Sequence, residues 1–145
     1  MTRSLLARPL LVAATLGALL AGCTDPPDDP DPAACRAMAP GESWLGRDGS
    51  RVTIVVTNPA PPARFTNWWA VRIEDREGAP MFDPARLTVS AFMPEHGHGA
   101  PIAPGVTAEV DGLIVGPLEL WMPGQWEIRF DVDGDRTIVP VCIAE

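Results

Sequence analysis

Between Gln125 and Val132 the chain alternates without a break: Trp126, Ile128, Phe130 and Val132 are apolar, while Gln125, Glu127, Arg129 and Asp131 are polar or charged. A repeat of two residues puts one set on each face of a β-strand, whereas a helix would scatter both around its circumference. Such a strand lays its dry face on a second layer and leaves the other face wet. The same period recurs upstream. Val52, Ile54 and Val56 alternate with Arg51, Thr53 and Thr57; Trp69, Val71 and Ile73 with Trp68, Arg72 and Glu74; Leu87, Val89 and Ala91 with Arg86, Thr88 and Ser90. After residue 22 no window carries the 3.6-residue period of an amphipathic helix.

Turn chemistry separates these runs. Asp111-Gly112 and Asp133-Gly134 read as two-residue hairpin turns, where glycine accepts the positive φ that a type I′ turn demands. Residues 58–63, rich in proline, form a loop, and Gly116-Pro117 breaks or bulges the strand that leads to Leu118, Leu120 and Met122. Strands are expected over 51–57, 67–75, 86–93, 106–111, 113–121, 125–132 and 136–143. About seven short strands, with turns every 8–12 residues, predict an all-β fold, an immunoglobulin-like antiparallel β-sandwich. Trp44 should pack beside the first strand. Trp68 and Trp121 fall on the opposite phase from the core set, so either they are covered at an edge or they form an exposed aromatic patch for a partner.

The N-terminus reads as a sorting signal. Arg3 and Arg8 make a short basic region, and the apolar run Leu10 to Leu20 is too short to span a bilayer. It ends in Leu20-Ala21-Gly22-Cys23, the pattern of a bacterial lipobox: a branched residue, two small residues at the cut, and a thiol able to take a thioether-linked lipid. Residues 1–22 are therefore expected to be a lipoprotein signal peptide and Cys23 the lipidated residue. Residues 23–34 carry four prolines interspersed with four aspartates and no large apolar side chain, which implies an extended tether of about 3 Å per residue. The folded domain is expected over 35–145. This places the protein in the periplasm or at the cell surface, anchored by lipid. A Thr rather than an Asp at position 24 favours the outer membrane under the sorting rule of enteric bacteria.

Charge and cysteine content fit export. From Cys23 onward nine arginines face nineteen acidic residues, a formal charge of −10, and the chain has no lysine. An acidic surface of this kind excludes nucleic acid as a partner, since phosphates need a basic one. With Cys23 taken by lipid, Cys35 and Cys142 remain, and an even pair outside the cytoplasm reads as one disulfide closing nearly the whole domain. The alternatives are a thiol metal ligand or two free thiols, although no CxxC spacing supports zinc.

Chemistry concentrates in Met93-Pro94-Glu95-His96-Gly97-His98-Gly99, which holds both histidines of the chain. A second Met-Pro follows at Met122-Pro123-Gly124-Gln125-Trp126. In the expected sandwich the third and sixth strands are neighbours, which would bring both segments to one end. Two imidazoles with one or two thioethers suit copper better than zinc, calcium or magnesium. The candidate metal ligands are Met93, His96, His98 and Met122, with Glu95 as a possible added carboxylate. A purely structural reading stands beside this one. Met93 is in register with Leu87, Val89 and Ala91, and Met122 with Leu118 and Leu120, so each thioether could cap the core, and the two histidines could simply be solvated. No nucleophile, acid–base pair or cofactor motif points to an enzyme. Asp131 to Asp135 resembles a fragment of a calcium loop, but a hairpin turn accounts for it better.

Asn67-Trp68-Trp69-Ala70-Val71-Arg72-Ile73, the Met-Pro-x-His-x-His-Gly block at 93–99 and the Met-Pro-Gly-x-Trp block at 122–126 together resemble the YtkA-like/FixH-like domain over about residues 50 to 133. The resemblance implies a small, exported or membrane-tethered sandwich. Some members sit beside copper handling and cytochrome oxidase assembly, which implies a partner in metal handling. Here a lipid and a disulfide replace the transmembrane helix of membrane-spanning FixH proteins. The competing expectation is a non-catalytic module that docks a membrane complex and binds no metal.

Overall fold

The computed structural model describes residues 38–145. The expected signal peptide, the tether with Cys23, and Cys35 lie outside the described residues. In chain order the strands are β1 (Ser43–Leu45), β2 (Arg51–Asn58), β3 (Phe65–Glu74), β4 (Pro80–Met81), β5 (Leu87–Met93), β6 (His98–Gly99), β7 (Gly105–Glu109), β8 (Gly112–Leu120), β9 (Gly124–Val132) and β10 (Asp135–Ile143). One antiparallel sheet runs β1-β2-β3-β8-β7, with β4 added beside β3; the other runs β10-β9-β5-β6. This is the expected all-β sandwich. All seven expected strands are present, and β1, β4 and β6 are additional short pieces of three, two and two residues. Among the described residues no helix is long and apolar enough to cross a membrane.

The alternation does what its period requires. Trp126, Ile128, Phe130 and Val132 of β9 face Trp69, Val71 and Ile73 of β3 across a core that also takes Leu87, Val89 and Ala91 from β5. Trp44 pairs with Val52 and packs, partly buried, against that core. Two β-bulges reset the phase inside the larger sheet. In β8 the pairing passes from Trp69↔Val115 to Asn67↔Leu118, so Gly116 and Pro117 together oppose Trp68. The extra residue turns Leu118 and Leu120 onto the same inner face as Leu113 and Val115. In β2 the pairing passes from Ile54↔Val71 to Val56↔Ala70. The simple alternation had placed Val56 with Val52 and Ile54; the bulge instead leaves Val56 exposed and buries Thr57.

Turns follow similar rules with one correction. Asp133 and Gly134 both take positive φ, 49° and 87°, as a type I′ turn between β9 and β10 requires. The turn between β7 and β8 is at Val110 and Asp111, one residue earlier than expected. Gly112 already belongs to β8, and its lack of a Cβ serves close approach to the Val71 carbonyl rather than turn geometry.

Two buried polar side chains, Asp135 and Asn67, are tied down by hydrogen bonds, whereas the buried Trp69 Nε1 has no partner among the described residues. Asp135, 2 % exposed, accepts the backbone N–H groups of Asp48 and Ser50, each at 2.9 Å, and so fixes the β1–β2 turn to β10. Burial alone would raise its pKa, but the hydrogen bonds from Ser50 and Asp48 and the charge of Arg47 outweigh this and hold the carboxyl below its ordinary value. Asn67, fully buried, accepts from Ala63 N and donates to the carbonyls of Ala63 and Phe65, which shapes the loop that leads into β3.

Candidate functional site

The expected neighbours are neighbours. β5 pairs antiparallel with β9, with Phe92 opposite Glu127, so the C-terminal end of β5 and the N-terminal end of β9 lie at one end of the sandwich. Both methionine-proline segments are found there.

The first segment is a tight hairpin. The Met93 carbonyl accepts from His96 N at 3.2 Å and Gly97 N at 2.9 Å, and Gly97 takes φ 68°, where a side chain would be strained. β6 then returns beside β5, with His98 opposite Met93 and Gly99 opposite Phe92. Directly opposed residues of an antiparallel pair share a sheet face, so His98 is turned to the same side as buried Met93, at the rim between the sheets. His96 and His98 are both exposed, and their ring centroids are 5.8 Å apart with the planes tilted by 55°. The Gly99 carbonyl lies 3.2 Å from His98 Nδ1. A carbonyl only accepts, so this contact is a hydrogen bond when the ring proton sits on Nδ1, which leaves Nε2 as the lone-pair nitrogen.

The second segment is a turn held at three points. Arg64 Nε donates to the Trp121 carbonyl at 3.1 Å, and Trp126 Nε1 donates to the Met122 carbonyl at 3.0 Å. The Trp121 indole donates to Glu119 Oε2 at 2.8 Å, while Glu119 Oε1 accepts from Thr66 at 2.9 Å. Gly124 has φ 117°, and a Cβ there would stand 2.8 Å from the Met93 methyl and 3.6 Å from a Glu95 oxygen. The glycine of the Met-Pro-Gly block is thus the seam between the two segments. A cavity of about 100 Å³ opens beside it, lined by His98, Glu119, Trp121, Met122 and Trp126 among others.

The structure thus brings His96, His98 and Met122 to one rim. Met122 is half-buried and packs on the core. Met93 is 1 % exposed and sits inside the core cluster, where its register with Ala91 put it. Glu95 is exposed at the same end. Among the described residues no group of three or more His, Cys, Asp or Glu side chains is placed to hold a metal ion. Cys142 is half-buried on β10 and disulfide-bonded; its expected partner, Cys35, lies outside the described residues.

Arg64, Thr66 and Glu119 escaped the reading from sequence. They carry no motif, and their roles depend on the β3–β8 pairing, which sets Thr66 opposite Glu119 and Phe65 opposite Leu120. Trp68 and Trp121, whose placement was open, are 45 % and 47 % exposed. Trp68 lies on the outer face of the larger sheet, its ring covering Gly116.

No family model, curated protein or solved structure matches this chain.

Two imidazoles and one thioether are neutral, soft to borderline donors, the set that fits copper and is poorest for calcium and magnesium. Two rings can share one ion only when their centroids lie within about 6 Å of each other, since a metal–nitrogen bond is about 2.0 Å, and the observed 5.8 Å is inside that limit.

Proposed function

We propose that this chain is an exported lipoprotein, anchored through Cys23, whose YtkA-like/FixH-like sandwich binds copper(I) and passes it to a partner in metal handling or oxidase assembly. The observation that carries the metal reading is the pair of imidazoles 5.8 Å apart beside a cavity that His98 shares with Met122. The ligands are His96, His98 and Met122. Met93, sealed beneath Gly124, supports the loop from inside the core. The lipobox supports the lipid anchor, Thr24 directly after Cys23 favours the outer membrane, the acidic Pro/Asp tether holds the domain off the surface, and the Cys35–Cys142 pair supplies the covalent closure of the domain.

Titration of the full-length protein with copper(I) against a competing chelator tests this reading. Wild type is expected to bind one equivalent, and the His96→Ala/His98→Ala double variant to lose tight binding while keeping the wild-type melting temperature. Equal affinity in both would remove the metal from the account.

A second reading has its own observation. Val56, Phe65 and Trp68 expose apolar surface at one end of the larger sheet. A non-catalytic docking module would use such a face, and partner capture that persists in the double-histidine variant would favour it.

A further inference from the structure

Four strands end the two sheets, and three of them offer little to pair with. β1 has three residues, β6 has two, and β10 carries Pro140, which withholds a donor from its edge. β7 is different. Its five residues, Gly105–Glu109, include no proline and a single charge, at the turn end. All but Val106 are exposed, and among the described residues no hydrogen bond outside the β7–β8 ladder reaches them. In a two-residue hairpin the pair that flanks the turn, here Glu109 and Gly112, exchanges both backbone hydrogen bonds, and bonding alternates from there. Gly105, Thr107 and Glu109 therefore direct their backbone groups to β8, and Val106 and Ala108 direct theirs outward. Val106 packs on the core, so Thr107 lies on the outer face of the sheet.

This open edge is complementary to itself. Laid antiparallel against a second copy about a two-fold axis at Thr107, Val106 opposes Ala108 and Gly105 opposes Glu109, in both directions. Each Val106–Ala108 pair exchanges both backbone hydrogen bonds, so every outward group of the two residues finds a partner. Thr107 meets Thr107, a favourable cross-strand pair. The two Glu109 carboxylates stay four residues apart along the strands, about 14 Å, beyond the screening length of about 8 Å at physiological salt. One residue further, the same register sets Val110, 91 % exposed in the single chain, beside the second copy's Pro104. We infer that β7 is a homodimer interface, through which two copies of this chain join edge to edge into one continuous sheet. Antiparallel joining sends the two rims that bear His96 and His98 to opposite ends, so both stay open. The contact is small, and the proposed anchor would favour it by confining copies to one surface at high effective concentration.

Cross-linking at position 107 tests this in the full-length protein reconstituted into vesicles, with diamide as thiol oxidant and the linked peptides read by mass spectrometry. Opposed residues that exchange no hydrogen bonds lie about 4.5 Å apart at Cα, within the span of a disulfide. Thr107→Cys is therefore expected to give a dimer linked 107 to 107. Glu109→Cys, with its two copies about 14 Å apart, is expected to give almost none. Adding Ala108→Pro to Thr107→Cys removes a donor that β8 does not use; the melting temperature should hold while linkage falls by about tenfold or more, two intermolecular bonds being lost. Thr107→Lys and Thr107→Glu give a readout that needs neither oxidant nor proline. Each alone should sediment as a monomer where wild type dimerises, and an equal mixture should recover the dimer, since opposite charges then meet on the axis. Absence of linkage at 107, equal linkage at 109, linkage indifferent to Ala108→Pro, or a dimer indifferent to Thr107→Lys would overturn the inference. Copper(I) affinity of Thr107→Lys should equal that of wild type, so the dimer and the metal reading stand or fall separately.

Discussion

Gly124 shows how one residue couples the core to the rim. Its φ of 117° and the approach of the Met93 methyl to within 2.8 Å of a would-be Cβ leave no room for a side chain without strain. Gly124→Ala is expected to cost about 1–3 kcal/mol and to shift the Met122 turn, seen as a lower unfolding midpoint together with weaker copper(I) binding. Asp135 acts at the opposite end. Replacing it with Ala leaves the buried amide of Ser50 and the partly buried amide of Asp48 without their acceptor, which should cost about 2–3 kcal/mol near neutral pH in urea unfolding. Its folded pKa is depressed, so this stability is present above the ordinary carboxylate range and fades as pH falls through the lowered value. The gap between wild type and Asp135→Ala should therefore narrow in acid; a gap that widened there would contradict the assignment. At this scale the sequence was readable where chemistry is rare: both histidines and both Met-Pro pairs stood out because nothing else in an all-β pattern requires them. Arg64, Thr66 and Glu119 are ordinary polar residues on strands or loops, and only cross-strand register gives them a task.

Among the elements, alternation found the strands and the bulges decided what it could not. Val56 and Ile54 look equivalent in sequence, both apolar and two residues apart, yet a single unpaired residue puts one outside and the other fully inside. Ile54→Ala is expected to cost about 2–5 kcal/mol, by cavity formation in a packed core. Val56→Thr should change stability by no more than about 0.5 kcal/mol. Comparable losses at the two positions would mean that the β2 bulge is misplaced. The Gly116-Pro117 pair announced its bulge because proline cannot serve the ladder; β2 has no such marker. The three-residue and two-residue strands β1, β4 and β6 were also invisible, being too short to show a period. β6 matters most, since it turns His98 toward the rim. Trp126 joins element to site through its indole hydrogen bond to the Met122 carbonyl. Trp126→Phe should keep most of the core contact but release that turn, so copper(I) affinity should fall by about tenfold or more, as loss of a supporting hydrogen bond does at metal sites.

Under the proposed function the molecule is a lipid-anchored, tethered domain with one chemically distinct end. If Cys35 is the partner of Cys142, the bond ties the start of the domain to its last strand, and Cys35→Ser should lower stability by about 4–5 kcal/mol on the loop-entropy argument, with melting midpoints under oxidising and reducing conditions as the check. All of this serves to present one rim: His96 and His98 on one hairpin, and Met122 on a turn pinned by Arg64, Glu119 and Trp126. X-ray absorption at the copper edge of the loaded protein reads that rim most directly. The account predicts one sulfur at about 2.3 Å and two nitrogens at about 2.0 Å, with imidazole scattering that disappears in the double-histidine variant. A copper shell of oxygen and nitrogen alone, or one that is indifferent to both histidines, would contradict it.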